Sequence, residues 1–251
     1  MAAAAVLALL GGLIVGSFVT VVAHRVPRGE SVVGPRSRCP DCGAQIAAYE
    51  NVPVVSWVVL RGRARCCGAA ISARYPLTEL TLGTLWVATV LVLWDDPTQL
   101  ALGLVLVTML VAVTLTDLEQ RIIPNKILLV SAGLGVLITA IGDPGSLPER
   151  AAAAAAAGGL FFLAALAYPR GMGLGDVKLA ATMGLFLGRN VAPAILVALL
   201  AGSAVGLAMI ARQGASARKQ AIPFGPFLAF GGVVGLLLGN QLIDLYLSTF
   251  S

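Results

Sequence analysis

Apolar residues along this chain come in long blocks separated by short polar breaks. Blocks near 2–23, 77–94, 99–116, 125–142, 151–168, 177–188, 191–211 and 226–248 predict about eight membrane-spanning helices, since each span needs roughly 20 residues. The sixth block is short. Only Gly188, Arg189 and Asn190 separate it from the seventh, which predicts a tight hairpin. The first block, "MAAAAVLALLGGLIVGSFVTVVAH", lacks a basic n-region and stays apolar to about Ala23, so it reads as a retained helix rather than a signal peptide. Residues 24–75 are the one long polar segment. The expected organisation is a first transmembrane helix over 1–23, a loop domain over 24–75 and a transmembrane domain over 76–251.

Composition agrees with the pattern. The chain is 58% hydrophobic and 12% charged, against about 25% charged in soluble domains, and its mean hydropathy is +0.92. The expected fold is therefore an all-α polytopic membrane protein. Charge then orients it. With the N-terminus outside, the inner loops hold Arg25, Arg28, Arg36, Arg38, Arg61, Arg63, Arg65, Arg74, Arg121, Lys126, Arg170, Lys178, Arg212, Arg218 and Lys219; the outer loops hold only Arg150 and Arg189. This is a strong positive-inside bias, and Asp95, Asp96, Asp143 and Glu149 fall outside. The net charge of +5 needs no nucleic-acid partner, because anionic lipid at the cytoplasmic face accounts for it.

The 24–75 loop holds all 4 cysteines. On this topology it is cytoplasmic, where disulfides are disfavoured. "CPDC" places Cys39 and Cys42 three apart, and "CCG" follows at Cys66 and Cys67. Two C-x-x-C pairs at such a separation would read as a four-cysteine zinc ribbon. Here Ala64 stands three before Cys67 where the fourth cysteine belongs, and the adjacent Cys66 and Cys67 are not expected to reach one ion without strain. A degenerate ribbon with zinc thus competes with one held by packing of Ile46, Val52, Val54, Val55 and Trp57. His24, the sole histidine, is expected at the interface rather than as a ligand.

Two of the 12 acids stand apart. Asp117 follows an apolar run in "VTLTDLEQRIIPNKI", and Asp176 follows "GMGLG" at Gly171–Gly175. Acids at the hydrocarbon boundary are costly and suggest function, and the topology puts both on the cytoplasmic side. Two carboxylates in a partly dry site cannot both ionise easily, so they share a proton; one can then draw a proton from water while the other polarises a peptide carbonyl. Gly173 and Gly175 would loosen the backbone and admit a peptide close to Asp176. Asp176 also suits a plain helix cap. Asp117 does not: at a helix C-terminus its charge opposes the dipole, unless the helix continues to Ile123 and buries it deeper. Glu119 and Arg121 read as interfacial charges. One histidine and no H-E-x-x-H argue against a zinc protease.

"GLGD" at Gly173–Asp176 resembles the G-x-G-D signature of intramembrane aspartyl proteases, and "DLEQRIIPN" at Asp117–Asn125 resembles the second catalytic segment of bacterial prepilin peptidases. "GSFVTVVAHRVPRGES", "PRSRCPDCG", "ENVPVVSW", "LRG", "ISARYPLTEL" and "IPFGPFLAFGG" extend the likeness from Gly16 to Gly232. The resemblance implies a bifunctional enzyme of the bacterial inner membrane. It would remove the basic leader of type IV prepilins or type II secretion pseudopilins at the cytoplasmic face, then methylate the new N-terminus with S-adenosylmethionine. It makes Asp117 and Asp176 the catalytic pair and Cys39, Cys42 and Cys67 three of four zinc cysteines. "PFGPF", with Pro223 and Pro226, is expected at the same face, lining the cleft as backbone support with Gly173 and Gly175. Three other readings stand beside it: a small ion-coupled transporter with a broken helix at 171–176, an assembly scaffold, and a peptidase without methyltransferase activity.

Overall fold

The computed structural model describes residues 1–168, 172–214 and 222–250. Gly171, Arg170, Arg218 and Lys219, invoked above, lie outside the described residues. Among the described residues the chain is all-α, with no strand and only two isolated bridges, Arg38 with Gln45 and Arg63 with Ala70. It divides into two compact units, Met1–Val92 and Leu93–Ser251.

Unit 1 contains α1 (Ala2–Arg25), the short α2 (Val55–Val59) and α3 (Arg74–Leu93). The helices α1 and α3 touch backbone to backbone. A Cβ on Gly12 would lie 2.7 Å from Gly83 Cα, and one on Gly16 2.8 Å from Glu79 Cα, so the G-x-x-x-G spacing serves close helix packing. Glu79 is buried, and its Oε2 accepts the Val54 N–H at 2.7 Å. Val54 has φ +61°, rare for a β-branched residue.

Unit 2 contains α4 (Pro97–Gln120), α5 (Asn125–Gly142), α6 (Leu147–Ala167), α7 (Leu174–Leu187), α8 (Val191–Gln213) and α9 (Gly225–Phe250). Asp96 starts α4 by accepting the Gln99 N–H at 2.9 Å, with Pro97 in the first turn. The helix stops at Gln120 and does not reach Ile123. Arg121 adopts φ +55° and donates its N–H to Asp117 O, a left-handed cap, while Pro124 disfavours helix at Ile123. The core is built on α4: Leu106, Val107, Leu110 and Val113 are buried, with Leu179 and Met183 of α7 and Leu228 of α9.

Among the described residues, seven runs are long and apolar enough to cross a membrane by length and composition. Six contain one long helix each; the seventh, Leu174–Gln213, is 40 residues long and holds both α7 and α8. The chain turns at Gly188, φ +55°, but α7 and α8 take different neighbours instead of zipping together as a hairpin. Contacts of α7 run along α6, where a Cβ on Gly184 would sit 2.6 Å from Ala153 O. Those of α8 run along α9, where a Cβ on Gly235 would sit 2.6 Å from Ala194 Cβ. Small residues on each pair let the backbones approach where lipid supplies no hydrophobic drive. Arg150, expected in an outer loop, is buried instead: its guanidinium donates to the Leu185 and Phe186 carbonyls and to Ser146 Oγ. It thereby satisfies carbonyls that the end of α7 leaves open.

Candidate active site and a four-thiol cluster

Asp117 lies in the last turn of α4 and is only 6% exposed. Its Oδ2 accepts the Gly225 N–H at 2.8 Å. Gly225 is the first residue of α9, so Asp117 sits against its own helix dipole but at the positive head of another. A Cβ on Gly225 would lie 2.6 Å from Asp117 Oδ2, so any other residue there would displace the carboxylate. The resulting carboxylate is buried, hydrogen-bonded and fixed from two helices 108 residues apart in sequence.

Asp176 is the third residue of α7, after the N-cap Gly173. It stands in the first turn of α7, where a negative charge favours the helix dipole, as expected of a capping acid. The cap does not exhaust its role. Asp176 and Asp117 line one cavity of about 270 Å³, together with Arg121, Ile122, Ile123, Asn125, Gly173, Gly175 and Lys178. Lys178 Nζ donates to Asn125 Oδ1 at 3.0 Å, joining the start of α7 to the start of α5 across the cavity wall.

Neither glycine uses a left-handed backbone. Gly173 is extended at φ −81°, and Gly175 is helical without positive φ. What Gly175 supplies is space: a Cβ there would lie 3.1 Å from Ile123 Cβ. Pro223 and Pro226 do not line the cavity. From "PFGPF" it is Gly225 that reaches the site, through its N–H. Pro226, at the second position of α9, starts that helix without needing a donor of its own. Gly225 and Asn125 were not singled out from sequence. The signal for Gly225 was a glycine held between two prolines, and Asn125 closed the "DLEQRIIPN" segment.

Unit 1 carries a second cluster. The Sγ atoms of Cys39, Cys42, Cys66 and Cys67 all lie within 4.8 Å of one another. Cys39 to Cys67 is 3.7 Å, Cys42 to Cys66 is 3.3 Å and Cys66 to Cys67 is 3.9 Å. The adjacent pair therefore does converge, against the expectation from spacing. For a tetrahedral ion with Zn–S of about 2.3 Å the S···S edge is ~3.8 Å, so the thiols fit zinc. The backbone N–H groups of Cys42 and Asp41 pull the Cys39 thiol down to about 7, whereas the hydrogen bond with Cys42 pushes Cys66 up to about 12. The packing alternative lacks a core: Val52 is 45% and Val55 57% exposed, and Ile46, Val54 and Trp57 are only partly buried. His24 Nδ1 instead meets Arg28 Nη1 at 3.0 Å, away from the thiols.

The sequence model of the bacterial peptidase A24 N-terminal domain matches residues 10–93, and that of the type IV leader peptidase family matches residues 104–210. A protein of Stutzerimonas stutzeri named prepilin leader peptidase/N-methyltransferase is 35% identical over 96% of this chain and 92% of its own. Proteins of the same name from Aeromonas hydrophila, 36% identical over 97% and 94%, and Pseudomonas aeruginosa, 33% identical over 95% and 92%, are similar throughout. No solved structure matches the chain.

Proposed function

The chain belongs to the type IV leader peptidase family, and from that premise we propose that it is a bifunctional membrane enzyme. It cleaves the basic leader of prepilins or pseudopilins, then methylates the new N-terminal amine. The observation that carries this reading is that Asp117 and Asp176, 59 positions apart in sequence (176 − 117), line one cavity. Water held between the two carboxylates loses a proton to the ionised one as its oxygen attacks the scissile carbonyl carbon. The protonated carboxyl hydrogen-bonds and then protonates the carbonyl oxygen. Collapse of the tetrahedral intermediate breaks the C–N bond, and the departing amine takes a proton from the pair. Gly225 holds the Asp117 carboxylate in position for this exchange, while Arg121 and Lys178 supply positive charge at the cavity wall for the partial negative charge on the carbonyl oxygen before it is protonated. The site opens to the cytoplasm and the N-terminus lies outside; the bias of basic residues in the alternate loops supports that orientation.

Zinc, held by Cys39, Cys42, Cys66 and Cys67, would close the 24–75 loop and contribute folding energy to it. S-adenosylmethionine supplies an electrophilic methyl group when bound. For it, unit 1 offers a cavity of about 320 Å³ bounded by Phe18, Arg25, Arg36 and Asn51, among others, at the low end of ligand-pocket sizes. Its guanidinium groups suit the donor's carboxylate. Arg25 is already fixed there by donating to the Ser31 and Pro35 carbonyls.

Purified enzyme incubated with a prepilin, with and without S-adenosylmethionine, tests the assignment by mass spectrometry. The expected result is leader loss in both reactions and a further methyl mass only with the donor. An intact prepilin in both would overturn the peptidase reading; cleavage without methylation would leave a peptidase alone.

A further inference from the structure

The two turns that carry the cysteines are copies of one another, offset by 25 residues. In the first, Cys39 N–H donates to Ala44 O at 2.8 Å, Gly43 N–H to Cys39 O at 2.9 Å, and Gly43 has φ +73°. In the second, Ala64 N–H donates to Ala69 O at 2.7 Å, Gly68 N–H to Ala64 O at 2.7 Å, and Gly68 has φ +74°. The flanking bridges correspond too, Arg38 with Gln45 and Arg63 with Ala70. Ala64 is thus the structural counterpart of Cys39, Cys67 of Cys42, and Cys66 of Asp41.

We infer that Cys66 has taken over the metal-ligand position vacated at Ala64, so that the second turn binds through its third and fourth residues instead of its first and fourth. This rests on the zinc reading of the loop and deepens it. The backbone of the second turn keeps the ligand-bearing form although its first residue has no thiol. That form is what a metal-binding knuckle requires and what a decayed loop has no reason to hold. The missing thiol is replaced in space: Cys66 Sγ lies 3.3 Å from Cys42 Sγ and 3.9 Å from Cys67 Sγ, close to the ~3.8 Å edge of a tetrahedral thiolate site. The swap moves one ligand to the outer rim. Ala64 is half-buried, whereas Cys66 is exposed, so the ligand at 66 is less shielded than a thiol at 64 would be.

Full-length enzyme in detergent tests this through zinc content and through affinity measured by chelator competition. Four proteins are compared: wild type, Cys66→Ser, Ala64→Cys and the double variant Ala64→Cys/Cys66→Ser. Prepilin cleavage serves as the folding control. Wild type should carry about one zinc per chain. Cys66→Ser should weaken binding beyond the roughly 10- to 100-fold cost of losing a mere supporting partner. The double variant should recover the wild-type level, since a thiol at 64 stands where Cys39 stands in the first turn. Wild-type affinity in Cys66→Ser, or no recovery in the double variant, overturns the inference. If wild type lacks zinc and Ala64→Cys gains it, Cys66 is not a ligand but the loop is still a zinc fold. If neither binds zinc, and alkylation finds the thiols oxidised in pairs, the zinc reading falls as well.

Discussion

The dyad of unit 2 and the thiol cluster of unit 1 bring distant residues together by different means. Around Asp117 the work is done by helix packing: α4 lies in the core, the Gly225 N–H meets the carboxylate, and no Cβ fits at Gly225. Around the cysteines there is no comparable packing; Cys39 is buried, but Val52 and Val55 of the same loop are exposed. A site held by packing tolerates no change of volume. A site held by a metal tolerates a moved ligand so long as four sulfurs still reach one point. On the proposed zinc reading, the loss of a thiol at 64 is tolerable because Cys66 brings a fourth sulfur within reach, whereas a Cβ at Gly225 would displace the Asp117 carboxylate.

The sharpest break of this comparison is removal of either carboxyl. Asp117→Asn and Asp176→Asn should each lower prepilin cleavage by a thousandfold or more, a loss of several kcal/mol, roughly 1.4 for each tenfold. Both should still insert, so rates are compared per folded molecule; near-normal turnover in either would refute the shared-proton mechanism. Next in size is Gly225→Ala. Its Cβ cannot coexist with Asp117 Oδ2 in the present positions, and displacement of a reacting group by ~1 Å can cost about a hundredfold. Wild-type cleavage by a folded Gly225→Ala chain would show that Asp117 is not fixed from α9.

Cys39→Ser/Cys42→Ser probes the other side. It should strip the metal and reduce methylation roughly tenfold or more, with much less effect on cleavage, both read from one mass-spectrometric time course. Equal loss of the two activities would mean the regions are not energetically separate. The smallest effect is expected at Gly175→Ala. There the neighbour is the Ile123 side chain at 3.1 Å, not backbone. A shift of a few tenths of an ångström costs of order 1 kcal/mol of stability, within the range for mild overpacking, and Ile123→Ala in the same chain should relieve it. Gly175→Val should cost more and slow turnover too, because Ile123 is itself part of the cavity wall. A double-mutant cycle on thermal stability measures the coupling.

Much of this was readable along the chain. Eight helices, the exceptional loop and the two suspect acids all followed from where charge interrupts apolar sequence. Local rules failed where a partner was remote. Arg150 looked like an outer-loop charge because the carbonyls that hold it lie 35 and 36 residues on. Asp117 looked electrostatically misplaced, since the stabilising N–H belongs to α9. Cys66 and Cys67 looked incompatible with one ion because adjacency was judged without the turn that aims them.

The sequence by itself determined that the chain is helical and apolar enough to span a membrane, because helix length and hydropathy are properties of contiguous residues. It also singled out Asp117, Asp176 and the cysteines as the candidates for chemistry. Only the tertiary structure decided which of them meet: Gly225 at Asp117, both aspartates on one cavity, and Cys66 among the other three thiols. Those meetings depend on how close two backbones approach and in what direction a turn points. Such quantities arise from packing between segments, and no local window of residues contains them.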